Sequence, residues 1–541
     1  MESEAPHHDP LPPSWDAVSG KTLGQLLELR ARQQPHRVAL SAQSIQGFRD
    51  RLTYAQLALF SRRMGAWLRA IGIGSGDRVA IYLANDAGRE AVLTALGCFA
   101  IGAVAVPMNT RAADDDLVHA LDLVNPALVV CGTASAARLQ RLTRARQAQV
   151  DAPADAATAW QDPLHGTDAG LSAVVGLEPD SPACLLFTSG TTSRSKAVIH
   201  SHRSMIAAGF AVGQAVGLGA GDLYQGAFPF FTSSCLNLGC MSSWVHGAGF
   251  VLEHLPGNAD RLRLAESEQS TVYHGVPAVI QYMLDECERG TYALGRLRRI
   301  AYGGAPMPVA AIERIAQTWP WADQMQIWGM TESGPAGASL PPHWLPAKAG
   351  MIGAAMPNCE LRAVDENGQP VPAGEPGELC FRGPSMAQGY FENPRESANT
   401  FRDGWLHTGD IVVQDEDGLF RFVDRSKDVI NRGGLKVSSA AIENALQRLP
   451  QIQEVAVIPF PHPKLGEEAA ACIVFRPGAA LDAKRLEAHC IQWLADYAVP
   501  RHWFILESLP RNPMGKVLKR DLPALIARLD SATDSSPCEP Q

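Results

Sequence analysis

The chain has 541 residues, 46% of them hydrophobic, and a formal net charge of −9. Its length allows more than one domain with large cores. The negative balance, with no basic run carrying interleaved aromatics, excludes a general nucleic-acid binder. Eleven cysteines occur without a CxxC pair, so neither a zinc site nor a disulfide framework is signalled, and free thiols suit a reducing cytoplasm.

The opening MESEAPHHDPLPPSW is acidic and proline-rich and lacks the basic start and apolar core of a signal peptide. Tyr54 to Ile71 has the spacing of an amphipathic helix, followed by the turn GIGSGD and the strand RVAIYL. GIGSGD looks like half a dinucleotide fingerprint, but it precedes a strand instead of following one. Ala91 to Met108 carries no charge and is almost long enough to span a bilayer. Gly97, Gly102 and Pro107 interrupt it, so a buried helix ending near Gly102 and a core strand at Val104 to Val106 are expected, with no stable membrane span. Leu128 to Cys131 and Gly249 to Leu252 are expected as buried strands, and Ala134 to Asp168 as a surface helix and loop. Such alternation favours an α/β fold with helices against mainly parallel sheets.

LLFTSGTTSRSKAVIHSH, from Leu185 to His202, ends a buried strand in hydroxyls, one glycine and a lysine. Backbone N–H groups and hydroxyls beside a lysine suit the oxygens of a phosphate chain. A Walker loop is excluded, because Ser195 and Ala197 flank Lys196 where that motif needs glycine and Ser or Thr. A solvated Ser/Thr-rich turn is the alternative.

After Gly350, Asn-Gly and Ala-Gly turn signals separate short alternating runs, which predicts a β-rich segment. Past Asp424 a further small α+β domain is expected: Ala441 to Leu449 helical, VAVIPF and AACIVFRP strands, and Leu486 to Ala495 helical. The boundary is placed between 426 and 427. Residues 1–426 then form a large N-terminal domain of packed α/β subdomains plus the β-rich part, 427–530 the small domain, and 531–541 a polar, disordered tail.

Four further stretches complete a pattern: YGGAPMP at Tyr302, IWGMTESGP at Ile327, GWLHTGDI with FRFVDRSKDVINRGGLKVS, and PRNPMGKVLKRDL. Each alone has a bland reading; glycine turns are usually turns, Trp328 could be core packing, and Asp410 could cap a helix. In this order, with the loop after Leu185, they resemble the adenylate-forming superfamily of acyl-CoA synthetases, luciferases and peptide-synthetase adenylation domains, closest in style to stand-alone acyl-CoA synthetases. The resemblance runs from about Leu23 to Arg520.

The resemblance implies that Thr188, Ser189, Gly190, Thr191, Thr192 and Lys196 hold the triphosphate of ATP. It implies that Gly303, Gly304 and Ala305 let the backbone approach adenine, with Trp328, where relatives usually carry tyrosine, stacked on the ring. Thr331 would bond the α-phosphate and Glu332 would bind Mg²⁺, a hard cation that prefers carboxylate oxygen. Asp410 and Arg425 would hold the ribose, and Lys516 would bridge the substrate carboxylate and the α-phosphate. The small domain would rotate about Lys427 after adenylation, and Gly433, Gly434 and Lys436 would line the path of the coenzyme A thiol. An ionised carboxylate needs no general base, consistent with the lack of a nucleophile elbow.

Departures bear on the phosphate loop and the acyl pocket. Ser193, Ser195 and Ala197 replace residues usual in that loop, which loosens it without removing hydroxyls or the lysine. Thr232 stands where many relatives have histidine. Phe230, Phe231, Thr232, Val276, Pro277 and Ala278 are expected near an apolar pocket without lysine or arginine. The expected activity is ATP-dependent acid–CoA ligation of a fatty, alicyclic or aromatic monocarboxylate by a cytoplasmic monomer or homodimer. Loading of a free-standing carrier protein is the alternative, and a non-catalytic nucleotide binder is disfavoured by the joint presence of Glu332 and Lys516.

Overall fold

The first long helix, Tyr54–Ala70, starts at Thr53, whose hydroxyl accepts from the Gln56 amide while the Gln56 side chain accepts from the Thr53 N–H. It packs on Gly88–Ile101, buried almost throughout, and the two approach so closely that a Cβ on Gly97 would lie 2.2 Å from Met64 Cγ. The uncharged stretch at Ala91 is thus a core helix, followed by the strand Val104–Pro107. These elements belong to a computed structural model that describes residues 13–165, 177–188, 195–254, 257–305, 307–425, 428–432, 435–511 and 517–533. Among the described residues no helix is long and apolar enough to cross a membrane.

Two compact units form: one from the described residues among 1–188, 195–362 and 380–407, the other from those among 363–379 and 408–541. The first carries a six-stranded sheet in the order Arg146–Gln149, Leu128–Cys131, Arg78–Tyr82, Val104–Pro107, Pro182–Thr188, Lys196–Ser201. All neighbours are parallel except the last pair, an antiparallel hairpin in which Thr188 faces Lys196. Arg146–Gln149 corrects the expected surface loop: it is a polar edge strand with only Ala148 buried, so it shows no hydrophobic alternation.

The second sheet of this unit runs Arg49–Thr53, Val38–Gln43, Gly249–Leu252, Leu223–Gly226, Val272–Gly275, Arg299–Gly303, Asp323–Trp328, then Ala338–Leu340 and Met351–Ala355. Its six strands from Val38–Gln43 to Asp323–Trp328 are parallel. Their carboxyl ends therefore open on one side, where α/β sheets bind ligands.

In the second unit, the end of the strand Trp405–Gln414 from Asp410 onward pairs antiparallel with Phe420–Arg425, with Asp410 opposite Arg425. A further sheet joins Leu435–Val437, Ile430–Arg432, Gly466–Phe475 and Ile452–His462, with His502–Ile505 parallel to Gly466–Phe475. Both its faces are buried, so alternate residues feed two cores. Val455, Val457, Ala471 and Ile473 pack with Ile442, Leu446 and Leu486; Ala456, Ile458, Ala470 and Cys472 pack with Leu506, Leu522 and Ile526. The Asp424 carboxylate accepts from Ser439 Oγ and the Ala440 N–H, which ties Phe420–Arg425 to the helix Ser439–Leu446. The boundary expected between 426 and 427 falls inside this unit.

Candidate active site

The strand Asp323–Trp328 ends at Trp328, half-buried, with the chain at Gly337 folded against its ring. Three residues on, Thr331–Ser333 form a short 3₁₀ turn held from both sides. The Thr331 carbonyl accepts from His200 Nε2 at 2.9 Å, the Ser333 carbonyl accepts from Ser385 Oγ at 2.8 Å, and the Glu332 carbonyl accepts from the Ala387 N–H at 2.9 Å. Thr331 Oγ1 lies 3.1 Å from Ser233 Oγ.

Glu332 is buried, and its Oε1 accepts from the Tyr390 hydroxyl at 2.9 Å. Burial and the Glu332 charge raise the Tyr390 pKa far above its ordinary value, so the hydroxyl stays a donor. The Tyr390 ring also carries Lys196, whose ammonium lies 4.8 Å from the ring centroid and pairs with Glu396. Thus Lys196 and Glu332, read from two distant motifs, meet at a tyrosine that neither motif contains. The Glu332 carboxylate offers oxygen, the donor that suits Mg²⁺.

The glycine turn after Arg299–Gly303 has two causes. A Cβ at Gly303 would lie 2.3 Å from the Ile327 carbonyl, so the neighbouring strand by itself already requires glycine here. Gly304 has φ +80°, and the nearest atom to a Cβ there would be Val276 Cγ1 at 3.7 Å. The turn with exposed Ala305 therefore sits beside the segment read as acyl pocket. Val276 is 38% exposed, and Pro277 is the first residue of the helix Pro277–Cys287.

Asn85 organises the rest of that rim. Its amide nitrogen donates to the Phe228 and Glu253 carbonyls at 2.8 and 2.6 Å, and its oxygen accepts from the Phe230 N–H at 2.8 Å. Phe231 is buried, and Phe230 belongs to the main core instead of a pocket wall. The Thr232 hydroxyl donates to the Pro229 carbonyl at 2.8 Å and so closes its own turn.

In the second unit Asp410 is buried, and its Oδ1 lies 2.6 Å from Arg425 Nε. The pair read from two separate motifs is brought together by strand register. Lys519 Nζ pairs with Glu443 and donates to Ser439 Oγ, both at 2.8 Å, which gives it a structural post. Ser189, Gly190, Thr191, Thr192, Lys427, Gly433, Gly434 and Lys516 lie outside the described residues; Lys436 falls in the strand Leu435–Val437.

His200, Asn85, Tyr390 and Glu396 carry no signal in the sequence reading. His200 is one of four buried histidines among the described residues of the first unit. Burial pushes His200, His202 and His246 down to about 4 and His274 to about 3. At neutral pH His200 is uncharged, and its Nε2–H serves the Thr331 carbonyl. Unfolded, each histidine titrates near 6.5. Between about 6.5 and 4 the unfolded chain binds protons that the folded chain does not, so stability is complete above that window and lost as pH falls through it. The unfolding free energy from urea titration is expected to drop steeply from pH 7 to 4.5, by on the order of 2–3 kcal/mol per histidine, with the urea midpoint falling in step. A flat profile over that range would rule out neutral burial of these side chains.

Residues 27–391 match the AMP-binding enzyme family and residues 441–516 the AMP-binding enzyme C-terminal domain. The chain is 32% identical to feruloyl-CoA synthase of Amycolatopsis sp over 92% of its length and 98% of the relative's. It is 30% identical to a fatty acid–acyl-carrier-protein ligase of Streptomyces coeruleorubidus, over 93% and 96%. Among solved structures, o-succinylbenzoate CoA synthetase from Bacillus subtilis, in complex with its acyl-adenylate intermediate, superimposes with a TM-score of 0.82 at 26% identity, covering 92% of this chain and 97% of that one. With these matches spanning both units, the chain belongs to the AMP-binding enzyme family, within the adenylate-forming superfamily, and stands there among the AMP-forming acyl-CoA synthetases.

Proposed function

We propose that the enzyme joins an apolar monocarboxylic acid to coenzyme A through an acyl-adenylate. The observation that carries this reading is the meeting of Lys196 and Glu332 at Tyr390 in the first unit, with Thr331, next to Glu332 in the chain, 3.1 Å from Ser233 Oγ. Lys196 with Thr188, Ser189, Gly190, Thr191 and Thr192 holds the triphosphate, and Thr331 bonds the α-phosphate. Glu332 holds Mg²⁺, which neutralises charge on the phosphates when bound. Gly304, Ala305 and Trp328 receive adenine; Asp410 and Arg425 receive the ribose. A carboxylate oxygen of the acid bonds to the α-phosphorus while the bond to the bridging oxygen breaks, and pyrophosphate leaves with that electron pair. Lys516 lies between the two anions and offsets their repulsion. The coenzyme A thiolate then attacks the acyl carbonyl and AMP departs. Residues 427–530 act as the mobile domain in this scheme, with Lys427 as hinge and Gly433, Gly434 and Lys436 on the thiol side.

The apolar character of the acid rests on Phe231, Val276 and Pro277 and on the aromatic and fatty substrates named for the two relatives above. A cytoplasmic site of action fits ten described cysteines that are all free thiols. The test is pyrophosphate release against a panel of carboxylic acids, with and without coenzyme A. Release with apolar acids that coenzyme A accelerates is expected. Release indifferent to coenzyme A, with acyl-adenylate retained, would transfer the reading to carrier-protein loading, and preference for charged acids would overturn the apolar assignment.

A further inference from the structure

Lys196 reaches its place from the first residue of the strand Lys196–Ser201, and its ammonium is already engaged there. On one side lies the face of Tyr390, on the other the Glu396 carboxylate, 200 residues away in sequence. Glu396 is itself well anchored. It sits in the helix Pro394–Thr400, where the Asn393 side chain caps its N–H at 3.2 Å, and Ser397 of the same turn accepts from the Tyr390 N–H at 2.8 Å. The carboxylate and the aromatic platform are thus carried on one short segment. The ion pair is only partly shielded, with 24% of the lysine and 37% of the glutamate side chain exposed. Half-exposed pairs are weak and exchangeable.

We infer that Glu396 is an internal competitor for the triphosphate: its carboxylate occupies the lysine that the phosphates of ATP use, and nucleotide binding displaces it. The inference rests on the assignment of Lys196 to the triphosphate given above. A polyphosphate carries several charges against one on the carboxylate, so it wins the lysine at the cost of breaking the pair. Pyrophosphate, the first product, meets the same competition as it leaves. Glu396 then weakens both ATP and pyrophosphate, and the return of its carboxylate to Lys196 aids product departure. Tyr390 stays in contact with Glu332 through the exchange and keeps the lysine and the metal carboxylate in register.

The experiment measures binding of MgATP and of magnesium pyrophosphate by titration calorimetry, without acid, on the full chain and on Glu396→Gln and Lys196→Ala. Glutamine keeps the size and removes the charge. For Glu396→Gln we expect both ligands to bind about three- to tenfold tighter, the gain shrinking as salt is raised, with a lower KM for MgATP and no rise in kcat. Lys196→Ala should weaken both ligands. If Lys196→Ala weakens them while Glu396→Gln leaves them unchanged or weaker, Glu396 is a structural partner and the inference falls alone. If Lys196→Ala has no effect on either ligand, the triphosphate assignment falls and the inference with it.

Discussion

Replacing Lys516 by alanine is expected to lower acid-dependent pyrophosphate release by about 10²- to 10³-fold. The physical reason is that adenylation brings a carboxylate and a triphosphate, two anions, to bonding distance. One cation between them lowers the barrier only while both charges are present. Thioester formation starts from acyl-adenylate, whose carboxyl charge is gone, so supplied acyl-adenylate and coenzyme A should react at close to the normal rate. Single-turnover assays of the two half-reactions separate these outcomes. Equal loss in both would assign Lys516 to folding or to thiol binding. Lys519, three residues on, is the control: its pair with Glu443 predicts that Lys519→Ala lowers thermal stability before it touches either half-reaction.

Replacing Glu332 by glutamine is expected to cost about 10²-fold in adenylation at low Mg²⁺ and to shift the Mg²⁺ titration upward. Glutamine can still accept from the Tyr390 hydroxyl, so the turn Thr331–Ser333, held by His200, Ser385 and Ala387 through backbone carbonyls, should persist. The loss is therefore electrostatic. Partial recovery at high Mg²⁺, with an unchanged melting temperature, is the expected signature. A variant with an unaltered Mg²⁺ titration would remove Glu332 from the metal site.

The elements that announced themselves are those whose pattern is local. Tyr54–Ala70, Gly88–Ile101 and the core strands Val104–Pro107, Leu128–Cys131 and Gly249–Leu252 each follow from apolar spacing and a nearby turn residue. Arg146–Gln149 escaped because an edge strand needs a neighbour's hydrogen bonds more than an apolar face. At Gly303 the close pass of Ile327 on the next strand is a demand for glycine that only the fold reveals. The bond from the Thr232 hydroxyl to the Pro229 carbonyl likewise had no signal in the sequence.

The motifs Thr188 to Lys196, Thr331–Glu332, Asp410, Arg425 and Lys516 were legible because together, in this order, they resemble those of the adenylate-forming superfamily, and that resemblance implies their roles. The sequence by itself thus determined the family and the reaction class. The groups that aim those side chains were decided by tertiary structure alone. His200 meets Thr331 across 131 residues, Asn85 meets Phe230 across 145, and Glu396 meets Lys196 across 200. A hydrogen bond over such a separation leaves no periodicity or spacing in the chain; it exists only once parallel strands have brought their carboxyl ends to one edge and the segment at Tyr390 has folded back onto Lys196–Ser201.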